Sequence, residues 1–201
     1  MNTLQSIRER RSIKHFDPDH NISESEINTL TDHLILSPTS FNIQNWRFVL
    51  IKEKTKKKLL KEAAYGQKQL EDASLSIILC ADLMAHKQGK QYWSKADPEV
   101  QKIVVPMINK FYDGNAQIQR DEAIRSVGIA AQTLMLSAKS IGYDSCPMIG
   151  FDSDKVANII QLPHQHMIVM IVCIGKAMQP AQPRSGPMPK SKLIFRESFK
   201  Q

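Results

Sequence analysis

Three separated polar clusters hold the residues of this 201-residue chain that are best suited to chemistry. They are Arg10-Arg11-Ser12-Ile13-Lys14, the stretch 37–46, and Pro189-Lys190-Ser191-Lys192. Arginine and serine side chains can clamp a phosphate monoester by charge-assisted hydrogen bonds, and lysines from the far end of the chain can close the same pocket. We therefore expect the clusters to converge on one flat, phosphorylated cofactor.

The first two clusters each have an ordinary alternative interpretation. Arginines that follow a short helix, here about residues 4–10, often only close its C-terminus. The stretch 37–46 is more specific, because Ser-Pro-Thr-Ser followed by Asn42, Gln44 and Trp46 is a costly polar loop to place before a core strand. Its alternative is a turn in which Ser, Thr and Asn satisfy local backbone groups.

Hydrophobic spacing predicts the elements that position these clusters. Ser23-Glu24-Ser25-Glu26 is a capping box followed by apolar residues at helical spacing, so we expect a helix over residues 23–36 that ends before Pro38. Runs rich in β-branched and bulky residues predict strands over residues 47–51, 75–81, 143–146 and 168–174. A helix over residues 54–64 joins the first two strands, and the lysines of 52–61 are typical of its solvated face.

Two longer helices are predicted in the second half of the chain. One covers residues 97–111, with Asp97 as its cap and Pro98 at its first position, and Pro106 should bend or interrupt it. The other covers residues 121–141 and is apolar or small nearly all the way round. Such a helix must be covered on most sides, so we expect it at the domain centre or at a subunit interface.

The end of the chain differs in composition. Residues 179–189 contain four prolines and a glycine, which predicts an extended arm without a regular element. Residues 176–201 hold six Lys or Arg against one Glu, a net charge of +5. Such an arm either hangs free or wraps a partner.

Composition limits the class of protein. The length favours one domain, and a net charge of +7 is compatible with nucleic acid, an anionic membrane or an acidic small molecule without selecting among them. Cys80, Cys146 and Cys173 lie in apolar surroundings with no C-x-x-C spacing, which favours buried, reduced thiols. The first residues lack an apolar signal segment, and no apolar run approaches the roughly 18 residues of a membrane span. We therefore expect a soluble, cytoplasmic protein with no membrane partner.

Taken together, the motifs resemble those of the FMN-dependent nitroreductase family. The resemblance rests on four motifs that follow the family's order along nearly the whole chain: Arg10-Arg11-Ser12-x-Lys14 with Phe16-Asp17, Ser37-Pro38-Thr39-Ser40-x-Asn42-x-Gln44-x-Trp46, Pro147-x-x-Gly150-Phe151, and Pro189-Lys190-Ser191-Lys192. It implies a nitroreductase-like α+β fold with a mostly antiparallel central sheet flanked by helices. It further implies one FMN-binding domain over residues 1–201, with 176–201 as a C-terminal arm, and an intertwined homodimer whose subunits both hold each flavin.

The resemblance also implies roles for individual residues. Arg10, Arg11 and Ser12 match positions that hold the FMN phosphate and ribityl chain, and Lys14 matches one that reaches the N1/O2 edge of the ring. Further cofactor contacts from the same subunit fall on the C-terminal pair and on the stretch against the ring: Lys190, Lys192, Pro147, Met148, Ile149 and Gly150. The second subunit would supply Pro38, Thr39, Ser40 and Asn42. Phe41, in the same loop, would stack on a planar acceptor or narrow its entrance, or else serve as ordinary interface packing.

Three positions depart from the family pattern. Gly66 stands where the family often has an asparagine that contacts the flavin, so Gln67 or Gln69 would substitute for it. Lys192 replaces a common arginine and offers a point charge where a guanidinium would offer a bidentate fork. Ile149 stands where many members have Glu or Gly, which makes the surroundings of the ring more apolar.

The activity that the resemblance implies is hydride transfer from NADH or NADPH, through flavin N5, to a nitroaromatic, a quinone or a related small-molecule acceptor. No side chain is expected to be an obligatory acid or base. Alternatives within the family are dehalogenation and the reduction of pteridines or flavins, and the alternative outside it is a basic nucleic-acid-binding protein, which we do not favour. His164 and His166 lack further ligands at convincing spacing, so no metal is expected, and G-x-G-x-x-G, P-loop and G-x-S-x-G motifs are absent.

Overall fold

A four-stranded antiparallel sheet forms the centre of the computed structural model, which describes residues 1–199. Its strands are β1 (Trp46–Ile51), β2 (Leu75–Asp82), β3 (Asp144–Met148) and β4 (His166–Gly175), arranged in the order β1-β2-β4-β3. All four lie where the sequence predicts strands, with ends that differ by two residues or fewer.

Eight α-helices surround the sheet within residues 1–199. They are α1 (Thr3–Glu9), α2 (Glu24–Leu34), α3 (Lys54–Ala63), α4 (Gln69–Asp72), α5 (Gly89–Tyr92), α6 (Pro98–Tyr112), α7 (Ala116–Ser140) and α8 (Ser153–Ile160). Short 3-10 turns cover Ser40–Asn42, Ala85–Gln88 and Lys190–Lys192. The predicted α+β class is confirmed.

The sheet is buried on both faces, because successive residues of its central strands enter two separate cores. Leu75, Ile77 and Leu79 of β2 pack with α2 and α7. Ile78 and Cys80 face the opposite way and pack with α3, α4 and α8. Every residue of β2 is therefore buried, which explains why all of them except Ser76 and Asp82 are apolar.

The edge strand β3 brings the first polar cluster to the sheet. Pro147 has no N–H to donate, and it is tolerated because β3 has a neighbouring strand on one side only. The Ser145 carbonyl turns outward and accepts a hydrogen bond from the Ile13 N–H at 3.1 Å. Ser12 and Ser145 thus form a short parallel bridge, which holds the segment after α1 against the sheet edge.

The start of α2 is the predicted capping box. The Ser23 hydroxyl accepts from the Glu26 N–H at 3.3 Å, and the Glu26 carboxylate accepts from the Ser23 N–H at 2.9 Å. The Ser23 hydroxyl also donates to the Glu26 carboxylate at 2.7 Å, and this bond, together with the one from the Ser23 N–H, holds the pKa of Glu26 below its usual value. The helix ends at Leu34, two residues before its predicted end, and the Ser37 hydroxyl donates to the Leu34 carbonyl at 2.8 Å.

Two helix predictions need correction. α6 continues through Pro106, so no interruption occurs there. Pro106 removes the N–H partner of the Lys102 carbonyl, but both residues are exposed and water can satisfy that carbonyl. α7 begins at Ala116, five residues before its predicted start, because the Asn115 side chain caps it by accepting from the Ile118 N–H at 3.0 Å.

The lysine-rich helix α3 is not a uniformly solvated face. Lys57 is only 6% exposed, and its Nζ donates to the Ala73 carbonyl at 2.6 Å. Burial lowers the pKa of Lys57. Lys52 and Lys61 each pair with a glutamate, so fewer cations are left free for nucleic acid than the sequence indicates.

The chain after β4 is extended before it reaches the turn at Lys190–Lys192. It starts as a short pairing with the segment after α1, in which the Met178 N–H donates to the His15 carbonyl at 3.0 Å. The last two residues of the predicted arm lie outside the described part of the chain. All three cysteines are buried and unpaired, as predicted, and no helix within residues 1–199 has the length and apolar character needed to span a membrane.

Candidate functional site

The first polar cluster begins where α1 ends. Arg10 follows the last helical residue and donates its backbone N–H to the Ser6 carbonyl at 2.8 Å. Ile13 is then buried against the core, whereas Ser12 and Lys14 on either side of it are exposed. Buried and exposed side chains alternate along this extended segment, so its polar side chains stay accessible to a ligand.

A cavity of about 450 Å³ lies beside this segment. Arg10, Arg11 and Ser12 form one wall, and arm residues including Arg184 form the other. Nη1 of Arg10 is buried and has no hydrogen-bond partner within residues 1–199. Burial and the neighbouring charges of Arg184 and Arg11 lower the pKa of Arg10. No acidic side chain of the described chain lines the cavity, so three guanidinium groups surround a space suited to an anion.

Lys14 extends the positive charge along β3. Burial raises the pKa of the Cys146 thiol, and the positive charges of Lys14 and Arg10 oppose that rise. Both cations therefore lie within electrostatic reach of the same β3 residue. The segment 10–14 forms one positive strip along the edge of the sheet.

A second contact joins the loop after α3 to the end of β3. Gln67 donates its side-chain amide to the Gly150 carbonyl at 2.7 Å, and Gln69 donates to the Gln67 amide oxygen at 3.0 Å. Met148 is buried, but Ile149 is 78% exposed. Gln67 therefore fixes the backbone beside an apolar side chain that no part of the described chain covers.

The second polar cluster forms a loop fastened to α7. Its Thr39 hydroxyl accepts from the Gln44 N–H at 3.0 Å, and the Ser40 N–H donates to the Glu122 carboxylate at 3.3 Å. Glu122 is 5% exposed and also accepts from the Ser126 hydroxyl at 2.7 Å. The loop is thus held by local hydrogen bonds and by a buried acid on the long helix.

The backbone of this loop is strained. Phe41 and Gln44 have φ values of 51° and 42°, a region that such side chains rarely adopt, and Asn42, at 52°, is of a type that tolerates it. Residues kept in such conformations cluster at ligand-binding and active sites. The strain supports a binding role for the loop beyond that of a connecting turn.

Aromatic contacts support the same loop from α6. The Phe41 ring lies 5.7 Å from the Phe111 ring and 6.2 Å from the Tyr112 ring. The Trp93 indole N–H donates to the Phe41 carbonyl at 2.9 Å. The ring of Phe41 therefore packs within its own chain, and its role toward an acceptor stays a prediction.

The single chain brings some of the predicted residues together and keeps others apart. Arg10, Arg11 and Ser12 share one cavity, and Gln67 contacts the stretch that ends at Gly150. No hydrogen bond, ion pair or ring contact within residues 1–199 joins the loop 37–45 to the segment 10–14. Pro38 and Asn42 are exposed in this separate loop, and Lys190 and Lys192 are exposed in the arm and do not line the cavity.

Two residues of the site escaped the sequence analysis. Arg184 lies in an extended proline-rich arm, where no periodicity shows which residues meet the rest of the chain. Glu122 follows Asp121 near the polar start of α7, where an acid suggests an exposed position. The position of Glu122 along the helix does indicate burial, because it lies four residues before Ser126 and five before Val127, and both of these residues are buried.

A model of the nitroreductase family matches residues 7–176 of this chain. The chain belongs to the nitroreductase family. The nitroreductase is similar to protein DrgA of Synechocystis sp., with 46% identity over 200 residues that cover 96% of this chain and 95% of that protein. It is also similar to YodC of Bacillus subtilis, which is named as an NAD(P)H nitroreductase, with 31% identity over 96% of this chain and 97% of that one. A solved structure from Exiguobacterium sibiricum in complex with FMN matches with a TM-score of 0.91 and 29% identity, covering 98% of both chains.

The predicted nitroreductase-like fold is confirmed, and the nitroreductase is an oxidoreductase. Its residues fit the phosphate of FMN, because the buried and unpartnered Nη1 of Arg10 needs an acceptor and Ser12 and Arg11 line the same cavity. Gly66 has φ 79°, a conformation that glycine and asparagine tolerate best. An asparagine at this position could therefore form the same turn.

Proposed function

We propose that this nitroreductase is an FMN-dependent oxidoreductase that uses NADH or NADPH to reduce nitroaromatic, quinone or related small-molecule acceptors. The FMN-bound relative and the NAD(P)H nitroreductase names of other relatives support this proposal. FMN would supply the chemistry, by accepting hydride at N5 and passing it to the acceptor. The protein's own task is then to bind, orient and electrostatically tune the flavin.

The observation that carries the proposal is the unpartnered Nη1 of Arg10 in a cavity lined by Arg11 and Arg184. A phosphate monoester carries close to two negative charges near neutral pH and accepts several hydrogen bonds. It would satisfy Nη1 and neutralise the mutual repulsion of the guanidinium groups. Lys190 and Lys192 would approach the same phosphate if the end of the arm closes on it.

The ring of the flavin would extend from this phosphate along β3. Lys14 would reach its N1/O2 edge, where a positive charge favours electron acceptance by up to about 4 kcal/mol at 4 Å and an effective dielectric of 20. The stretch Pro147, Met148, Ile149 and Gly150 would lie against the ring, with Gln67 holding the Gly150 backbone. The exposed Ile149 would make this environment apolar.

We further propose that the enzyme is a homodimer whose subunits share each flavin. Pro38, Thr39, Ser40 and Asn42 would come from the second subunit, since within residues 1–199 no hydrogen bond, ion pair or ring contact joins their loop to segment 10–14. Large apolar side chains are exposed on α1, at the end of α2, on α7 and in the arm: Leu4, Ile7, Ile35, Leu36, Ile124, Ile129, Leu193 and Ile194. A dimer that covers them should bury more than about 2,000 Å².

The visible spectrum of the purified protein tests the cofactor directly. We expect a flavin spectrum that bleaches when NADH or NADPH is added anaerobically and returns when a quinone or nitroaromatic is added. Separate titrations with the two nucleotides measure which one the enzyme prefers. A protein that binds no FMN, even after incubation with an excess, contradicts the proposal.

Sedimentation tests the assembly. We expect a dimer at micromolar concentration, and a folded, FMN-loaded monomer would contradict the shared site.

A further inference from the structure

The arm is fastened to the first polar cluster by arginine contacts that run in opposite directions. The Arg184 Nη2 donates to the carbonyls of Arg8 at 3.1 Å and Arg10 at 3.4 Å. In return, the Arg11 Nη2 donates to the carbonyl of Gln182. Each side of the cavity therefore holds the other in place.

The contacts of Arg184 also suit the end of α1. The carbonyls near a helix C-terminus lack intrahelical partners and carry partial negative charge, so a guanidinium there is favourable. Only Nη2 is used in this way, and the remaining N–H groups of Arg184 have no hydrogen-bond partner within residues 1–199. Arg184 also lines the cavity opposite Arg11, so it has donors free for a ligand there.

Fastening of the arm to the end of α1 does not by itself explain why the arginines lie together. Two arginines that only tied the arm down would gain from neighbouring carboxylates, yet no acidic residue of the described chain lines this cavity. Arg184 contacts the Arg10 backbone carbonyl and lines the same cavity as the Arg10 guanidinium, which has a buried nitrogen without a hydrogen-bond partner within residues 1–199. Like charges are brought together in this way when an anion is bound between them.

We propose that Arg184 is a further phosphate-binding residue of the cofactor site, and that the bound phosphate locks arm residues 182–187 in place. The proposal rests on the proposed function, because it takes the anion to be the phosphate of FMN. Binding of the cofactor and ordering of the arm are then one coupled event. Arg184 would bind the phosphate directly with its free N–H groups while Nη2 keeps the arm on α1.

Comparing FMN with riboflavin isolates the phosphate, since riboflavin has the same ring without it. Arg184→Ala should raise the Kd for FMN about tenfold, the usual loss for one charge-assisted hydrogen-bonding partner, and leave the Kd for riboflavin unchanged. Arg184→Lys should recover part of the loss, because it restores the charge without the fork. Arg196→Ala is the matched control, since it removes an equal charge from the same arm and should leave both Kd values unchanged.

Protection of the arm provides a second readout that does not depend on enzyme activity. Hydrogen exchange over residues 182–187 should slow when FMN is added to the wild-type protein and change far less in Arg184→Ala. An equal FMN Kd in wild type and Arg184→Ala overturns the proposal, and so does an equal loss of FMN and riboflavin affinity, which would assign Arg184 a purely structural role. Wild-type protein that binds no FMN would instead contradict the proposed function itself.

Discussion

The two halves of the candidate site are built in opposite ways. The segment 10–14 presents cationic side chains to an open cavity, and one of their nitrogens is buried without a partner. The loop 37–45 has its key backbone groups satisfied by Thr39 and Glu122, although two of its residues, Phe41 and Gln44, have strained backbone angles. The first half is completed by a ligand, whereas the second is already rigid before any ligand is present.

This difference indicates how the two halves divide the work. The segment 10–14 should control the affinity for the cofactor, because its unsatisfied hydrogen-bonding groups gain most when the cofactor binds. The loop 37–45 is held by its own chain and, within residues 1–199, is not bonded to segment 10–14. It should therefore control the shape of the site in a neighbouring subunit. The following predictions test this division, from the largest expected effect to the smallest.

Removing the Arg10 guanidinium, whose Nη1 is buried, should have the largest effect. Arg10→Ala deletes the unpartnered Nη1 donor, and a hydrogen bond to a charged group contributes about 1.5–3 kcal/mol, so the Kd for FMN should rise about ten- to a hundredfold. Quenching of flavin fluorescence measures this Kd. Lys56→Ala removes an equal charge from the exposed face of α3 and should leave it unchanged. Equal Kd values for the two variants would place the phosphate elsewhere.

Removing the buried carboxylate of Glu122 should lower the stability of the fold more than it lowers the affinity for FMN. Glu122→Ala leaves the Ser40 N–H and the Ser126 hydroxyl without their acceptor, at a cost of about 2–3 kcal/mol in the free energy of unfolding. Glu122→Gln keeps a carbonyl acceptor and should recover much of that loss. Chemical denaturation of the FMN-free protein gives the values. Glu99→Ala, which breaks an exposed pair with Lys102, is the control and should cost less than about 1 kcal/mol. A Glu122→Ala variant as stable as this control would show that the loop is not held by α7.

Substitution of Phe41 tests whether the loop 37–45 also selects among acceptors. If its ring narrows the acceptor site, Phe41→Leu should change kcat/KM by up to about tenfold, by different factors for acceptors of different size. Reduction of the enzyme by NAD(P)H should change less. Stopped-flow measurement of the two half-reactions separates the effects. A single common factor for the nucleotide and all acceptors would mean that Phe41, packed on Phe111 and Tyr112, only supports the fold.

The smallest effect should come from relieving strain in the loop. Gln44→Gly removes the cost of φ 42° but adds flexibility to the unfolded chain, so the free energy of unfolding should stay unchanged or rise by up to about 1 kcal/mol. Lys58→Gly, inside α3, should lower it by about 1 kcal/mol. If the free energy of unfolding falls by the same amount in both variants, the backbone at Gln44 is not strained.

Much of the fold could be predicted, because its central elements have strong periodic patterns. The strands around Leu50, Ile77 and Val172 are runs of β-branched and bulky residues, and α2 carries its cap in its sequence. The short helices α4, α5 and α8 were not predicted, and α4 and α5, with four residues each, are too short for an apolar period to show. Pro106 was expected to bend or interrupt α6, and the predicted interruption is absent because the carbonyl that the proline leaves without an N–H partner lies at the surface, where water can satisfy it.

The site was predictable where residues lie close in sequence and less so where the fold brings them together. Arg10, Arg11 and Ser12 share a cavity, as their clustering indicates. Arg184 comes to the same cavity from more than 170 residues away, through an arm that has no periodicity to read. Lys57 appeared to be one of many surface lysines, yet the carbonyl of Ala73 makes its burial possible.

The measurement that tests the shared site most directly is subunit complementation. Arg10→Ala impairs the segment 10–14, and Asn42→Glu places a charge in the loop expected from the partner, so each homodimer should bind FMN weakly. A heterodimer of the two variants, purified with a different tag on each chain, has one site with both changes and one with neither. We predict that about one FMN per two chains binds with wild-type affinity, as two-fold symmetry requires. A heterodimer with no wild-type site would contradict the account and place both halves of the site in a single chain.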